Sequence, residues 1–189
     1  RLVNMVGKFA ERCRLELGGG VVVTDEGRLG EYRVDGMVPE VVLTPETTDE
    51  AATILRLASE MRVPVLIRGS GTKMSIGLPL NQCPSVLSTE RMRAVANLEA
   101  KNFTVTIQGG MPLDVFQTYL AGENMFFPHD PPYPRSTVGG NVASKTIGPR
   151  RLMYGSLRDM VLGVKVVLAT GDVVQFGGMV MKNVAGYDM

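Results

Sequence analysis

The sequence predicts a fold that combines helices with short strands, organised as one domain or as two small lobes sharing a ligand. Three observations predict it. At 189 residues and 44% hydrophobic content, the chain can bury a real core. A strand, a capped helix and a second strand follow one another between residues 40 and 67, and the second strand empties into a glycine loop. Two apolar runs, 160–168 and 173–176, flank Ala169-Thr170-Gly171-Asp172 and read as a β-hairpin.

In chain order, Leu2, Val3, Met5, Val6, Phe9 and Cys13 recur at helical spacing until Gly18-Gly19-Gly20 breaks the pattern, which predicts a packing helix. Residues 21–24 and 40–43 are β-branched runs bounded by Gly, Asp and Pro, and are expected strands. Thr47 and Glu50 form a capping-box pair, and Ala51, Ile54, Leu55, Ala58 and Met61 mark one apolar face that stops at Pro64. The compact apolar run 63–67 predicts a buried strand. It leads into Arg68-Gly69-Ser70-Gly71-Thr72-Lys73-Met74-Ser75-Ile76-Gly77. Residues 85–88 and 104–108 read as further strands. Gly109-Gly110 then precede a helix opened by Pro112, with Val115, Phe116, Tyr119 and Leu120 on its buried face and Gly122 as its stop. Residues 128–151 are rich in Pro, Gly, Ser and Thr without periodicity, and an irregular segment of that length is usually functional or disordered.

Composition narrows the function classes. Twenty Lys and Arg against nineteen Asp and Glu leave a net charge of +1, so no global field favours nucleic acid or an anionic membrane, and a charged ligand must be held locally. Cys13 and Cys83 lie far apart and outside any Cys-x-x-Cys or Cys/His cluster, which argues against a zinc site or a disulfide framework and for a reducing compartment. An apolar run of about 18 residues is absent. Lys8, Glu11, Arg12, Arg14 and Glu16 interrupt the N-terminal pattern in a way that a signal peptide does not. The expectation is a soluble protein with no integral membrane segment and no metal. The chain starts at Arg1 and stops at Met189, directly after Lys182-Asn183-Val184-Ala185-Gly186-Tyr187-Asp188, and reads as a piece of a longer protein.

Glycines permit positive φ and close backbone approach, so a glycine-rich turn after a strand can aim several N–H groups at one anion. Gly69, Gly71 and Gly77 supply that freedom, Ser70, Thr72 and Ser75 add hydroxyl donors, and Arg68 or Lys73 would offset a diphosphate's charge. A Walker A loop fails here for want of a Gly-Lys pair in this stretch. A dinucleotide-binding Gly-x-Gly-x-x-Gly fails at Met74. The second small-residue segment, Ser136-Thr137-Val138-Gly139-Gly140-Asn141-Val142-Ala143-Ser144, suggests a second wall of one nucleotide site.

These residues resemble the FAD-binding domain of the vanillyl-alcohol-oxidase and p-cresol-methylhydroxylase (PCMH) type. Within it they resemble the FAD-linked 2-hydroxy-acid oxidases and dehydrogenases, especially the glycolate oxidase FAD-binding subunit. The likeness is carried by 64–73, Asp130-Pro131-Pro132, 136–144, Gly148-Pro149-Arg150-Arg151 with Tyr154-Gly155-Ser156-Leu157-Arg158-Asp159, and 182–188, in family order over roughly residues 38–189. The resemblance implies an α+β fold of two lobes with FAD between them, divided near 105–110 and preceded by an N-terminal helix and lead-in strand at 1–37. The hairpin belongs to the second lobe on this view. The resemblance further implies that Arg68, Gly69, Ser70, Gly71, Thr72, Lys73, Met74 and Gly77 hold the pyrophosphate. Pro131, Ser136, Thr137, Gly139, Gly140, Asn141, Ala143 and Ser144 then run beside the flavin, and Gly148 and Arg151 complete the cofactor-binding set. Position 70 is Ser where many relatives carry Gly. Some members tether the flavin through a His or Tyr; His129 lies outside the glycine loop, so a dissociable FAD is expected and His129 is read as structural.

The function so implied is oxidation of a 2-hydroxy acid such as glycolate or D-lactate by hydride transfer to flavin. The alternative is an FAD-binding but non-catalytic assembly subunit of a glycolate-oxidase-like complex, beside a second flavoprotein and an iron-sulfur subunit. A reductase of the UDP-N-acetylenolpyruvylglucosamine type shares the fold, but Asp130-Pro131-Pro132 and the 182–188 stretch point to the hydroxy-acid branch. A cytoplasmic location is expected, with room for peripheral attachment to a membrane complex. In hydroxy-acid-oxidising relatives the base and any metal ligands come largely from a cap region beyond this sequence, so no catalytic residue is assigned. Lys182 and Tyr187 could form an acid/base or carboxylate-binding pair but read rather as a solvated Lys and a packed Tyr; Arg150, Arg151 and Arg158 could bind an acidic substrate or the cofactor, though Arg158 beside Asp159 is as well explained by an internal ion pair.

Overall fold

The structure, a computed structural model, describes residues 2–178, with side chains from Met5 onward. The 182–188 stretch, with Lys182 and Tyr187, lies outside the described residues. The first sheet orders its strands β1-β2-β4-β3, with β1 (Val22–Val23), β2 (Val41–Leu43), β3 (Val65–Arg68) and β4 (Ser85–Ser88). β1 runs antiparallel to β2, while β2 and β3 both run parallel to β4. Strand alternation divides the apolar side chains between two faces. Val22, Val41, Leu43 and Leu87 join Val6, Phe9 and Cys13 of α1 (Leu2–Leu17) and Ile54, Leu57 and Ala58 of α3 (Thr48–Met61). Val23, Val42 and Val86 face Leu29 at the end of α2 (Glu26–Leu29), Tyr32 and Cys83. Cys13 and Cys83 are thus both buried and free, one on each face.

α3 forms where its cap and periodicity place it. The Thr47 hydroxyl accepts from the Glu50 amide at 3.1 Å, and the Glu50 carboxylate accepts from the Glu46 amide at 2.7 Å, one residue before the cap. Arg62 in the left-handed region (φ 54) closes it ahead of Pro64. Two expectations fail in this region. The run 63–67 is not a buried strand: the strand spans Val65–Arg68 at the sheet's edge and Ile67 is 52% exposed. β4 takes the interior place instead, buried at all four positions, because parallel pairing of β2 and β3 on either side of it leaves β3 with one neighbour. Leu57 also joins the buried face of α3, which the pattern reading left out.

Beyond β4, β5 (Val95–Glu99) and β6 (Thr104–Ile107) pair antiparallel, and α4 (Leu113–Gly122) packs Leu113, Phe116 and Leu120 on them with Met111. The i, i+3, i+7 row faces inward, which leaves the expected core residues Val115 and Tyr119 exposed. The segment expected to be irregular contains a short helix, α5 (Val138–Ala143), capped by the Thr137 hydroxyl, which accepts from the Gly140 amide at 3.1 Å. α6 (Arg151–Tyr154) and α7 (Leu157–Met160) follow. The hairpin forms as β7 (Gly163–Val167) and β8 (Val173–Gly177), with Gly171 at φ 89 in its turn. It is a two-stranded sheet of its own, and its turn lies on α3: a Cβ at Gly171 would stand 2.7 Å from the Ala52 carbonyl oxygen. Helices and strands together make the fold α+β.

Candidate functional site

β3 delivers the glycine loop at the edge of the first sheet. Gly71 (φ 75) and Gly77 (φ 109) hold backbone that side-chain-bearing residues rarely adopt. The Arg68 guanidinium folds back over Gly71, stacks 5.0 Å from the centre of the Tyr32 ring and donates to the Glu31 carbonyl at 3.3 Å. Tyr32 in turn donates to Glu90 at 2.6 Å, and burial together with that carboxylate pushes its hydroxyl up to about 12.

The second segment is held by backbone contacts to the turn between β6 and α4. The Gly139 amide donates to the Gly109 carbonyl at 2.8 Å, the Val138 amide to Met111 at 2.9 Å, and the Leu113 amide to Ser136 at 2.9 Å. A Cβ at Gly139 would stand 2.7 Å from the Gly109 oxygen, and one at Gly69 would stand 2.5 Å from the Thr137 hydroxyl. The two walls expected from the sequence therefore meet at Gly69 and Thr137. A cavity of about 220 Å³ opens at that meeting point, lined among others by Arg68, Gly69, Ser70, Glu90, Arg93 and Thr137.

Lys73 crosses between the walls. Its ammonium donates to Asn141 Oδ1 at 2.6 Å, to Ser144 Oγ at 3.0 Å and to Thr146 Oγ1. All three acceptors are neutral, and burial holds the amine below the ordinary lysine range. Asn141 is itself 1% exposed and also accepts from Ser136 at 3.0 Å, yet its Nδ2 is buried without a partner. His129 Nε2 and Arg68 Nε are buried and unpartnered too. Burial lowers the pKa of His129, with Asp130 opposing and Lys73 adding to the effect.

Of the residues expected to bind a cofactor, Arg68, Gly69, Ser70, Lys73, Ser136, Thr137, Asn141 and Ser144 gather at this junction, with Gly139 and Gly140 directly behind it. Gly71, Thr72 and Met74 are half-buried in the loop, and Gly77 is exposed at its end. Pro131 and Gly148 are buried together: Gly148 lies against the Asp130 carbonyl, and the Asp130 carboxylate accepts from the Arg150 amide at 3.0 Å. Ala143 and Arg151 point to solvent. Arg150 also stacks over Phe126 at 5.7 Å, and the Asp159 carboxylate accepts from the Ser156 hydroxyl at 2.6 Å and amide at 2.8 Å. The sequence reading missed Thr146, Tyr32, Glu90 and Arg93; Thr146 stands two residues past the small-residue segment, and only its hydroxyl marked it. Among the described residues no group of His, Cys, Asp and Glu is placed to hold a metal ion, and no helix is long and apolar enough to cross a membrane.

The FAD binding domain family matches residues 39–187, most of the chain and both walls of the junction. The chain belongs to this FAD-binding family, of PCMH type. The FAD-binding chain is 40% identical over 154 residues to glycolate oxidase subunit GlcD of Bacillus subtilis (strain 168), covering 80% of this chain and 33% of that protein. It is 31% identical over 187 residues to a D-lactate dehydrogenase of Anaerostipes hadrus, covering 98% of this chain and 39% of that protein. A crystal structure of p-cresol methylhydroxylase with substrate bound superposes with a TM-score of 0.76 at 20% identity, over 91% of this chain and 35% of the other, a likeness of fold. The chain spans about a third of the length of these relatives.

The residues at the junction fit the family's cofactor, FAD. A cation among neutral oxygens, glycine-lined backbone on both sides and three buried polar atoms without partners are what a diphosphate-bearing ligand with ring heteroatoms would satisfy. The cavity of about 220 Å³ is below the roughly 300–1,000 Å³ usual for ligand pockets, so the described residues would enclose part of the dinucleotide and leave the rest on open surface.

Proposed function

We propose that the chain is the FAD-holding part of an oxidoreductase that oxidises a 2-hydroxy acid such as glycolate or D-lactate, with the cofactor bound non-covalently. The observation that carries this reading is the meeting of the two glycine segments, Gly69 on Thr137 and Lys73 on Asn141, within the residues that match the FAD-binding family. The names of the relatives supply the substrate class: a glycolate oxidase subunit and a D-lactate dehydrogenase. Bound FAD would supply the two-electron chemistry, taking a hydride from the hydroxyl-bearing carbon and leaving a 2-oxo acid.

The chain's own residues bind and orient. Gly69, Ser70, Gly71, Thr72 and Gly77 shape the loop for the pyrophosphate, and Arg68 and Lys73 supply positive charge on its two flanks. Ser136, Thr137, Gly139, Gly140 and Asn141 form the wall beside the flavin end, and Pro131 and Gly148 support that wall from behind. The glycine loop holds no His or Tyr, which favours a dissociable cofactor. Anaerobic addition of D-lactate or glycolate to the FAD-loaded protein is expected to bleach the oxidised-flavin absorbance and yield the matching 2-oxo acid.

A second reading is a non-catalytic FAD-binding subunit of a glycolate-oxidase-like complex, favoured by the word subunit in the name of the Bacillus relative. It predicts bound FAD that neither acid reduces until a partner flavoprotein subunit is added, with any iron-sulfur centre on another chain.

A further inference from the structure

Lys73 and its three acceptors lie 68, 71 and 73 residues apart in the chain. An ammonium carries three donors in a pyramidal array, and here each meets a different oxygen. The acceptors are themselves fixed. Asn141 Oδ1 takes a second bond from Ser136 at 3.0 Å, and Ser144 Oγ donates to the Gly140 carbonyl at 2.6 Å and lies 2.7 Å from Thr146 Oγ1. The Thr146 amide donates to the Asn141 carbonyl at 3.0 Å, which sets the exit turn of α5. On the other side, the loop has little burial to hold it: Ser75, Ile76, Gly77 and Leu78 are exposed, with Ile76 at 72% and Leu78 at 92%. A lysine so placed does more than add charge, because its partners are neutral and belong to the opposite wall.

We propose that Lys73 is a positioning residue whose ammonium clasps the glycine loop onto α5 and its exit turn, holding the two walls of the site at the spacing the cofactor requires. The inference rests on the FAD reading of this site for its last clause. It differs from a direct ion pair with the cofactor's phosphate, which would need the charge alone.

Three variants separate these roles, each made in the whole protein. Thr146→Val removes one acceptor while keeping its shape, at a residue assigned no cofactor contact. Lys73→Ala removes the clasp. Lys73→Arg keeps the charge but presents a planar fork that cannot meet three converging oxygens. In the absence of FAD, thermolysin, which cuts ahead of large apolar residues, reports opening of the loop at Ile76 and Leu78. Loss of one bond to a charged group is expected to raise the cleavage rate of Thr146→Val about tenfold. The FAD dissociation constant should rise by a similar factor. Lys73→Ala should open the loop further, Lys73→Arg should resemble Lys73→Ala, and adding Thr146→Val to Lys73→Ala should change nothing more. Unchanged cleavage in Thr146→Val and Lys73→Ala, or wild-type cleavage and affinity in Lys73→Arg, would overturn the clasp. Failure of the wild-type protein to take up FAD would instead count against the cofactor reading, and the cleavage comparison would still decide whether the clasp exists.

Discussion

The sheet β1-β2-β4-β3 and the region from β5 to β8 are built to different standards of closure. In the first, helices α1 and α3 cover one face and α2, Tyr32 and Cys83 the other, and Val42, Leu43, Ile54 and Val86 are wholly enclosed. In the second, one cluster around Met111, Leu113, Phe116 and Leu120 carries the packing, while Phe103, Phe126, Ile147, Leu152, Met153 and Phe176 show large apolar surface to solvent. The difference teaches where the site gets its rigidity. The glycine loop leaves the closed region, the small-residue segment belongs to the open one, and the contacts between them fall where Gly69 meets Thr137 and Lys73 meets Asn141, Ser144 and Thr146.

If the contrast is right, a cavity in the closed region is costly. Ile54→Ala should lower unfolding free energy by about 2–5 kcal/mol, read by denaturant titration, because Ile54 is fully buried between α3 and the sheet. A loss under about 1 kcal/mol would mean that the first region is looser than its burial indicates. Next in size is the wall that meets the glycine loop. Gly139→Ala puts a methyl 2.7 Å from the Gly109 carbonyl, and an overpacked contact costs about 1–3 kcal/mol. FAD affinity should fall along with stability, and affinity unchanged in calorimetric titration would place the cofactor away from that wall.

Tyr32 sharpens the comparison from the closed side. Tyr32→Phe removes its bond to Glu90 and should cost about 1 kcal/mol at neutral pH. Burial and the Glu90 carboxylate push its hydroxyl up to about 12, above the ordinary tyrosine range, so the folded state holds its proton more tightly. That contribution is complete below pH 10 and is lost as pH rises through about 12. An alkaline stability scan should therefore fall more steeply in the wild type than in Tyr32→Phe. Smallest is the expected effect in the open region: Leu152 is 93% exposed, and Leu152→Ser should change stability by less than about 0.5 kcal/mol. A larger loss in thermal unfolding would show that this surface is covered in solution.

Each region had one element legible in sequence, and the reasons are local. α3 announced itself through Thr47, Glu50 and a 3.6-residue period, and the hairpin through its Gly-Asp turn. The edge position of β3 was hidden because strand order depends on where β4, seventeen residues beyond Arg68 at its start, inserts. β5 went unread because Asn97 and Glu99 dilute its β-formers, and α5 because Gly139 and Gly140 disfavour a helix, which the Thr137 cap and the backbone bonds to Gly109 and Met111 help sustain. At the site, the residue types of both walls were legible, since glycine and hydroxyl clusters are local signals. Their joining was not: Arg68 turned to Tyr32, and Lys73 took Thr146 as a partner, through contacts that no short window of sequence contains.

The central claim is that the junction binds FAD reversibly, and the most direct measurement is the visible spectrum of the purified protein before and after acid precipitation, with the released nucleotide identified by chromatography. The account predicts a flavin spectrum, a colourless pellet and FAD in the supernatant. Colour that stays in the pellet would contradict reversible binding, and a protein that is colourless and takes up no added FAD would contradict the site itself.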